Sequence, residues 1–69
     1  MNKSYVLLRL YDEFLSGKNI KIYDCCREYG ISVSTFRRYM CFLRGYFSEI
    51  YGGEIVYDSK ILSYYLKKV

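Results

Sequence analysis

The chain contains no histidine, no proline and no tryptophan, and only three cysteines. Without histidine, the usual general base and the commonest metal ligand are both missing. No other convergent set of catalytic groups stands out, so an enzyme is not expected. No apolar run approaches the ~18–20 residues of a membrane span. Arg9, Asp12 and Glu13 break the N-terminal apolar stretch, so it does not read as a secretory leader, whose apolar region runs ~7–15 residues without interruption. Cys25 and Cys26 are neighbours and Cys41 stands alone. An odd count with an adjacent pair is a poor disulfide framework. A metal site would need a fourth ligand and wider spacing, and neither is present. The cysteines therefore read as small hydrophobes. The chain reads as a cytoplasmic protein with no cofactor, no metal and no membrane partner.

What is present is compact in its implications. The chain has 69 residues, 11 basic against 7 acidic, and a net charge of +4. A chain this short buries only about 60% of the surface that it exposes unfolded, so it holds one small core. About half the residues are apolar and 20% are aromatic, with ten Tyr and four Phe. That composition excludes intrinsic disorder. Residues 1–69 are expected to form a single domain, with no repeat, linker or low-complexity segment.

Residues Ser4 to Ser16 carry helical periodicity, with Leu7, Leu10, Tyr11 and Phe14 at i, i+3, i+4 and i+7. Leu8 and Leu15 widen that stripe, Ser4 is the expected N-cap and Gly17 the stop. Gly17-Lys18-Asn19 is turn chemistry, and Ile20-Lys21-Ile22 alternates as a short bridging strand. A second helix is expected over Tyr23 to Tyr29, with Asp24 at its positive end and Gly30 as its left-handed stop. Ser32 then caps a third helix from Val33 to near Tyr51, ended by Gly52-Gly53. On that helix Phe36, Met40, Leu43, Phe47 and Ile50 fall on one side. Ser34, Arg38, Cys41, Gly45 and Ser48 fall on the other, flanked by Arg37 and Arg44. The tail is rich in β-branched and aromatic residues. It reads as a strand over Glu54–Tyr57, a turn at Asp58–Ile61 and a return strand over Leu62–Lys67. With neither Asn-Gly nor Pro in that turn, a short terminal helix from Asp58 is the competing reading.

Helix, short strand, helix, tight turn, helix and hairpin make the order of a winged helix-turn-helix: mainly α, with a small β-wing of two or three antiparallel strands. The residues between 22 and 40 support it. Cys26 is small where a crossing helix must come close, Gly30 permits the turn, and Ile31 plugs the corner. Phe36 and Met40 face inward, while Ser34, Arg37 and Arg38 face outward toward a major groove. No acidic residue occurs from Gly30 to Ser48, and Arg44 extends the basic face. The alternative origin of such a face is an ordinary solvated helix surface.

The run Gly30-Ile31-Ser32-Val33-Ser34-Thr35-Phe36-Arg37-Arg38-Tyr39-Met40-Cys41-Phe42-Leu43-Arg44 resembles the helix-turn-helix of DeoR-like repressors and of regulators with a WYL effector domain. Gly30, Ser32, Thr35, Arg38, Leu43 and Arg44 match in register. Ile55-Val56-Tyr57-Asp58, followed by Tyr64-Tyr65-Leu66, looks like that family's wing. The sequence departs from the family at Tyr39, where Asp is usual, and at Cys26, where Ala is usual. The resemblance implies sequence-specific binding of double-stranded DNA and a role in transcription regulation. Those repressors sense ligands with a long domain after the wing, and with the sequence ending at Val69 no small-molecule ligand is implied.

The expected DNA-contacting residues are Ser32, Val33, Ser34, Thr35, Arg37, Arg38, Cys41 and Arg44 on helix 33–51, with Lys60 in the 54–67 wing. Ser32 is expected mainly to cap, and Cys41 to let the backbone approach DNA. Phe42, Tyr46 and Tyr39 form a second apolar stripe about 100° from the core side. Fourteen rings exceed what one small core can hold, so an exposed aromatic surface is expected. It would serve a homodimer or, in the rival functional reading, make the chain a protein–protein interaction module.

Overall fold

A computed structural model describes residues 2–68. Met1 and Val69, the ends of the expected domain, lie outside the described residues. The elements run α1 (Lys3–Leu15), α2 (Ile22–Tyr29), α3 (Val33–Tyr51), β1 (Glu54–Asp58) and β2 (Ser63–Lys67). The architecture is mainly helical, with a small two-stranded antiparallel sheet.

The cap of α1 is Asn2 rather than Ser4: its side-chain oxygen accepts the Tyr5 N–H at 2.9 Å. Both residue types cap well. The earlier start brings Val6 well inside the helix, and Val6, Leu10 and Phe14, spaced four apart, are completely buried. The inward ridge is therefore rotated from the expected one. Leu7, Tyr11 and Leu15 are half-buried at its edge, and Leu8 is exposed.

The expected three-residue strand reduces to one antiparallel bridge between Ile20 and Tyr64. Ile20 N–H donates to the Tyr64 carbonyl at 2.7 Å, and Tyr64 N–H returns to Ile20 at 2.8 Å. Ile22 instead joins α2, so the segment has no residues left for a longer strand. The bridge ties the entrance of α2 to the hairpin along the free edge of β2.

Gly30 ends α2 with φ 63° and ψ 39°. Its own N–H and that of Ile31 both donate to the Cys26 carbonyl, joining the single bond of a left-handed stop to the longer bond of a Schellman stop. A side chain at that φ would be strained, so glycine makes the turn between α2 and α3 cheap. Of the adjacent cysteines, Cys25 is the enclosed one and Cys26, expected to be the small packing residue, is half-buried. Burial pushes the Cys25 thiol up to about 12.

Along α3, Phe36, Met40, Leu43 and Phe47 are buried as their spacing demands, and α1, α2 and β1 all pack against this helix. Two residues depart from expectation. Tyr39 is buried rather than part of an outer stripe, because its flank is enclosed near the start of α3. Ile50 is 59% exposed. Phe14, the last buried residue of α1, meets Phe47 edge-on at 6.2 Å, and Ile50 lies beyond that contact.

The tail is a hairpin, with Glu54 opposite Lys67 and Asp58 opposite Ser63. The terminal helix does not form. Asp58 belongs to β1, the turn runs over residues 59–62, and the return strand starts at Ser63. Asp58 accepts the Lys60 N–H at 2.9 Å, and the Ser63 hydroxyl donates to the Ile61 carbonyl at 2.9 Å. These two bonds replace the missing Asn-Gly signal. Ile55 seals the hairpin to the core, while Tyr64 tilts against Phe36 with ring centres 5.7 Å apart.

Candidate nucleic-acid interface

The outward side of α3 is set by the same periodicity that buries its inner side. Ser34, Arg37, Arg38, Cys41, Arg44, Gly45 and Ser48 are all exposed. From Ser34 to Ser48 the helix rises about 21 Å. An α-helix fits the ~12 Å width of a DNA major groove.

The arginines of the molecule divide sharply. Arg27 forms a 2.7 Å ion pair with Asp24. Arg9 lies 3.7 Å from Glu28, donates to the Tyr5 hydroxyl at 3.1 Å and sits over the Tyr29 ring. The Tyr5 hydroxyl and the negative groups nearby hold the Arg9 guanidinium charged even more firmly than usual. Arg37, Arg38 and Arg44, in contrast, have no carboxylate partner among the described residues.

The other expected contact residues fall as follows. Ser32 is committed: its oxygen accepts the Thr35 N–H at 3.1 Å, and its proton goes to the Thr35 hydroxyl at 3.0 Å. Thr35 is half-buried and keeps its own hydroxyl proton as a donor. Val33 is half-buried and offers only apolar surface. Cys41 is an exposed thiol on the arginine face. Lys60 stands at the hairpin tip, away from α3 along the chain.

The structure adds Lys18 and Lys21 to Lys60. All three line one open groove of about 620 Å³, which Glu13, Asp24 and Glu28 also line. The Ile20–Tyr64 bridge brings these lysines together. Nothing in local spacing announces a pairing across more than forty residues, so sequence reasoning missed Lys18 and Lys21.

No family model matches the chain, and no curated protein or solved structure matches it either. Among the described residues there is no cluster of three or more metal-ligating side chains. No helix among the described residues is long and apolar enough to cross a membrane.

Proposed function

We propose that the chain is a winged helix-turn-helix domain that binds double-stranded DNA sequence-specifically and regulates transcription. In this reading α3 enters the major groove, and the hairpin is a wing on the flanking backbone. The element order, the Gly30 turn and the antiparallel Ile20–Tyr64 bridge support the fold assignment. The observation that carries the function is the row of three exposed arginines on α3 without carboxylate partners, while the arginines of α1 and α2 are paired. The protein then acts by binding and not by catalysis, without a cofactor. Its cytoplasmic placement rests on the odd cysteine count with an adjacent pair, a poor disulfide framework.

The decisive experiment is selection of bound sequences from a random duplex pool, with affinity measured against salt. The expected result is an enriched motif and a log–log salt slope of several units, about 0.9 for each phosphate neutralised. The rival reading as a protein-interaction module draws on the exposed aromatic surface. A chain that ignores random duplex DNA at low salt would favour that rival and end the DNA reading.

A further inference from the structure

We infer that the groove between α1 and α3 is a homodimer interface, filled by the same face of a second copy turned antiparallel about a two-fold axis. The groove measures about 490 Å³ and is lined by Leu7, Leu8, Tyr11, Phe42, Leu43 and Tyr46. Leu8 is 64% exposed, Phe42 56% and Tyr46 44%. Ile50 and Tyr51 extend the same surface past the end of the groove and are also exposed. At ~150–250 Å² for each large side chain, these five leave roughly 400–700 Å² uncovered. That is at the upper end for a monomer's largest apolar patch. With a polar rim added, it approaches the ~800 Å² that each partner contributes to a standard interface.

The charge pattern says which partner fits. The two helices run in the same direction along the groove. Lys3 lies 5.1 Å from the Phe42 ring at one end, and Tyr11 stacks on Phe47 at 5.6 Å further along. Lys3 therefore marks a positive end. Asp12, one turn beyond Leu8, and Glu49, on the ridge of Phe42 and Tyr46, mark a negative end. All three charged groups are exposed and form no ion pair among the described residues. A face that is positive at one end, negative at the other and apolar between is complementary to itself when reversed. A two-fold axis lays Lys3 of each copy against Asp12 and Glu49 of the other, as an isologous contact requires. The same operation turns both arginine faces to one side of the dimer. The inference does not depend on DNA binding, because the contact forms without DNA.

Sedimentation equilibrium of the 69-residue chain tests it directly. The expected result is a reversible monomer–dimer equilibrium with a micromolar dissociation constant, abolished in Leu8→Glu and in Phe42→Glu. Both side chains are exposed, and helical circular dichroism confirms that each variant folds. Lys3→Glu and Glu49→Lys should each weaken the dimer about tenfold, because symmetry places every such pair twice in the interface. The triple variant Lys3→Glu/Asp12→Lys/Glu49→Lys should return to within about threefold of the parent, since it only reverses the charge pattern. A chain that stays monomeric to about 1 mM overturns the inference. Dimers that survive both glutamate variants overturn it too, because they form elsewhere. Failure of the charge swap to restore association overturns the antiparallel arrangement.

Discussion

Leu62 holds a left-handed backbone, φ 52°, the one non-glycine residue among those described to do so. It closes the hairpin turn, and its side chain is 63% exposed. A branched side chain in this region costs about 1–2 kcal/mol, and glycine avoids that at an entropic cost of about 0.5–1 kcal/mol. Leu62→Gly is therefore expected to stabilise the fold by about 0.5–1 kcal/mol, read as a rise in the urea midpoint. At the same scale, the arginines of α3 carry the functional prediction. If Arg37 contacts a guanine edge, Arg37→Ala costs about 1–3 kcal/mol and relaxes preference at one base pair. Arg38→Ala, if the group holds a phosphate, weakens all sequences alike and lowers the salt slope by about 0.9. Affinities for the selected site and for a scrambled duplex, each over a range of salt, separate the two outcomes.

The start of α3 is the element on which the candidate site hangs. Ser32 keeps an extended backbone and its oxygen binds the Thr35 N–H, so it orients the turn that carries Ser34, Arg37 and Arg38. Ser32→Ala should cost about 1 kcal/mol of stability while leaving the DNA salt slope unchanged, because the hydroxyl is already occupied within the helix. A drop in slope with no loss of stability would instead make Ser32 a phosphate ligand. This cap was legible in the sequence, since a serine before a helical apolar pattern, three residues ahead of the N–H it caps, is a local signal. The Asn2 cap was obscured by Ser4, an equally good candidate two residues on. The α1 stripe was misread for a similar reason. Leu7, Leu10, Tyr11 and Phe14 satisfy the same period as Val6, Leu10 and Phe14, and only the neighbours of α1 choose between two overlapping ridges.

At the scale of the whole molecule, α1 and α2 are joined by groups that stay protonated. Burial, aided by Glu13 and Glu28, raises the Tyr29 phenol from 10.0 to about 12, and burial raises the Cys25 thiol from 9.0 to about 12. Both values lie above those of the unfolded chain. The unfolded state therefore releases protons first as pH rises, and alkali favours it. Stability should hold up to about pH 9 and fall between about 9 and 12, the window set by these shifts. Urea midpoints measured across that range check the expectation, and Cys25→Ala should shrink the loss that begins near pH 9 without removing it, because burial also raises the Cys26 thiol. A midpoint unchanged up to pH 12 would refute the assignment of these two groups. The Tyr11 phenol is raised to about 12 as well, chiefly by its 2.6 Å hydrogen bond to Tyr51 and then by desolvation.

Read alone, the sequence determined the three helices, the Gly30 turn, the inner ridge Phe36–Met40–Leu43–Phe47 and the outward arginines. Each of these depends on contacts within a few residues, where helix period, capping and glycine conformation act directly. Tertiary structure alone decided which tyrosines are enclosed, why Ile50 is not, and which cysteine of the pair is buried. It also reduced a strand to a single bridge and brought Lys18, Lys21 and Lys60 to one groove. Those outcomes depend on where α1 ends against α3 and on pairing across more than forty residues. No local pattern encodes them, because burial is a property of the neighbours that packing supplies.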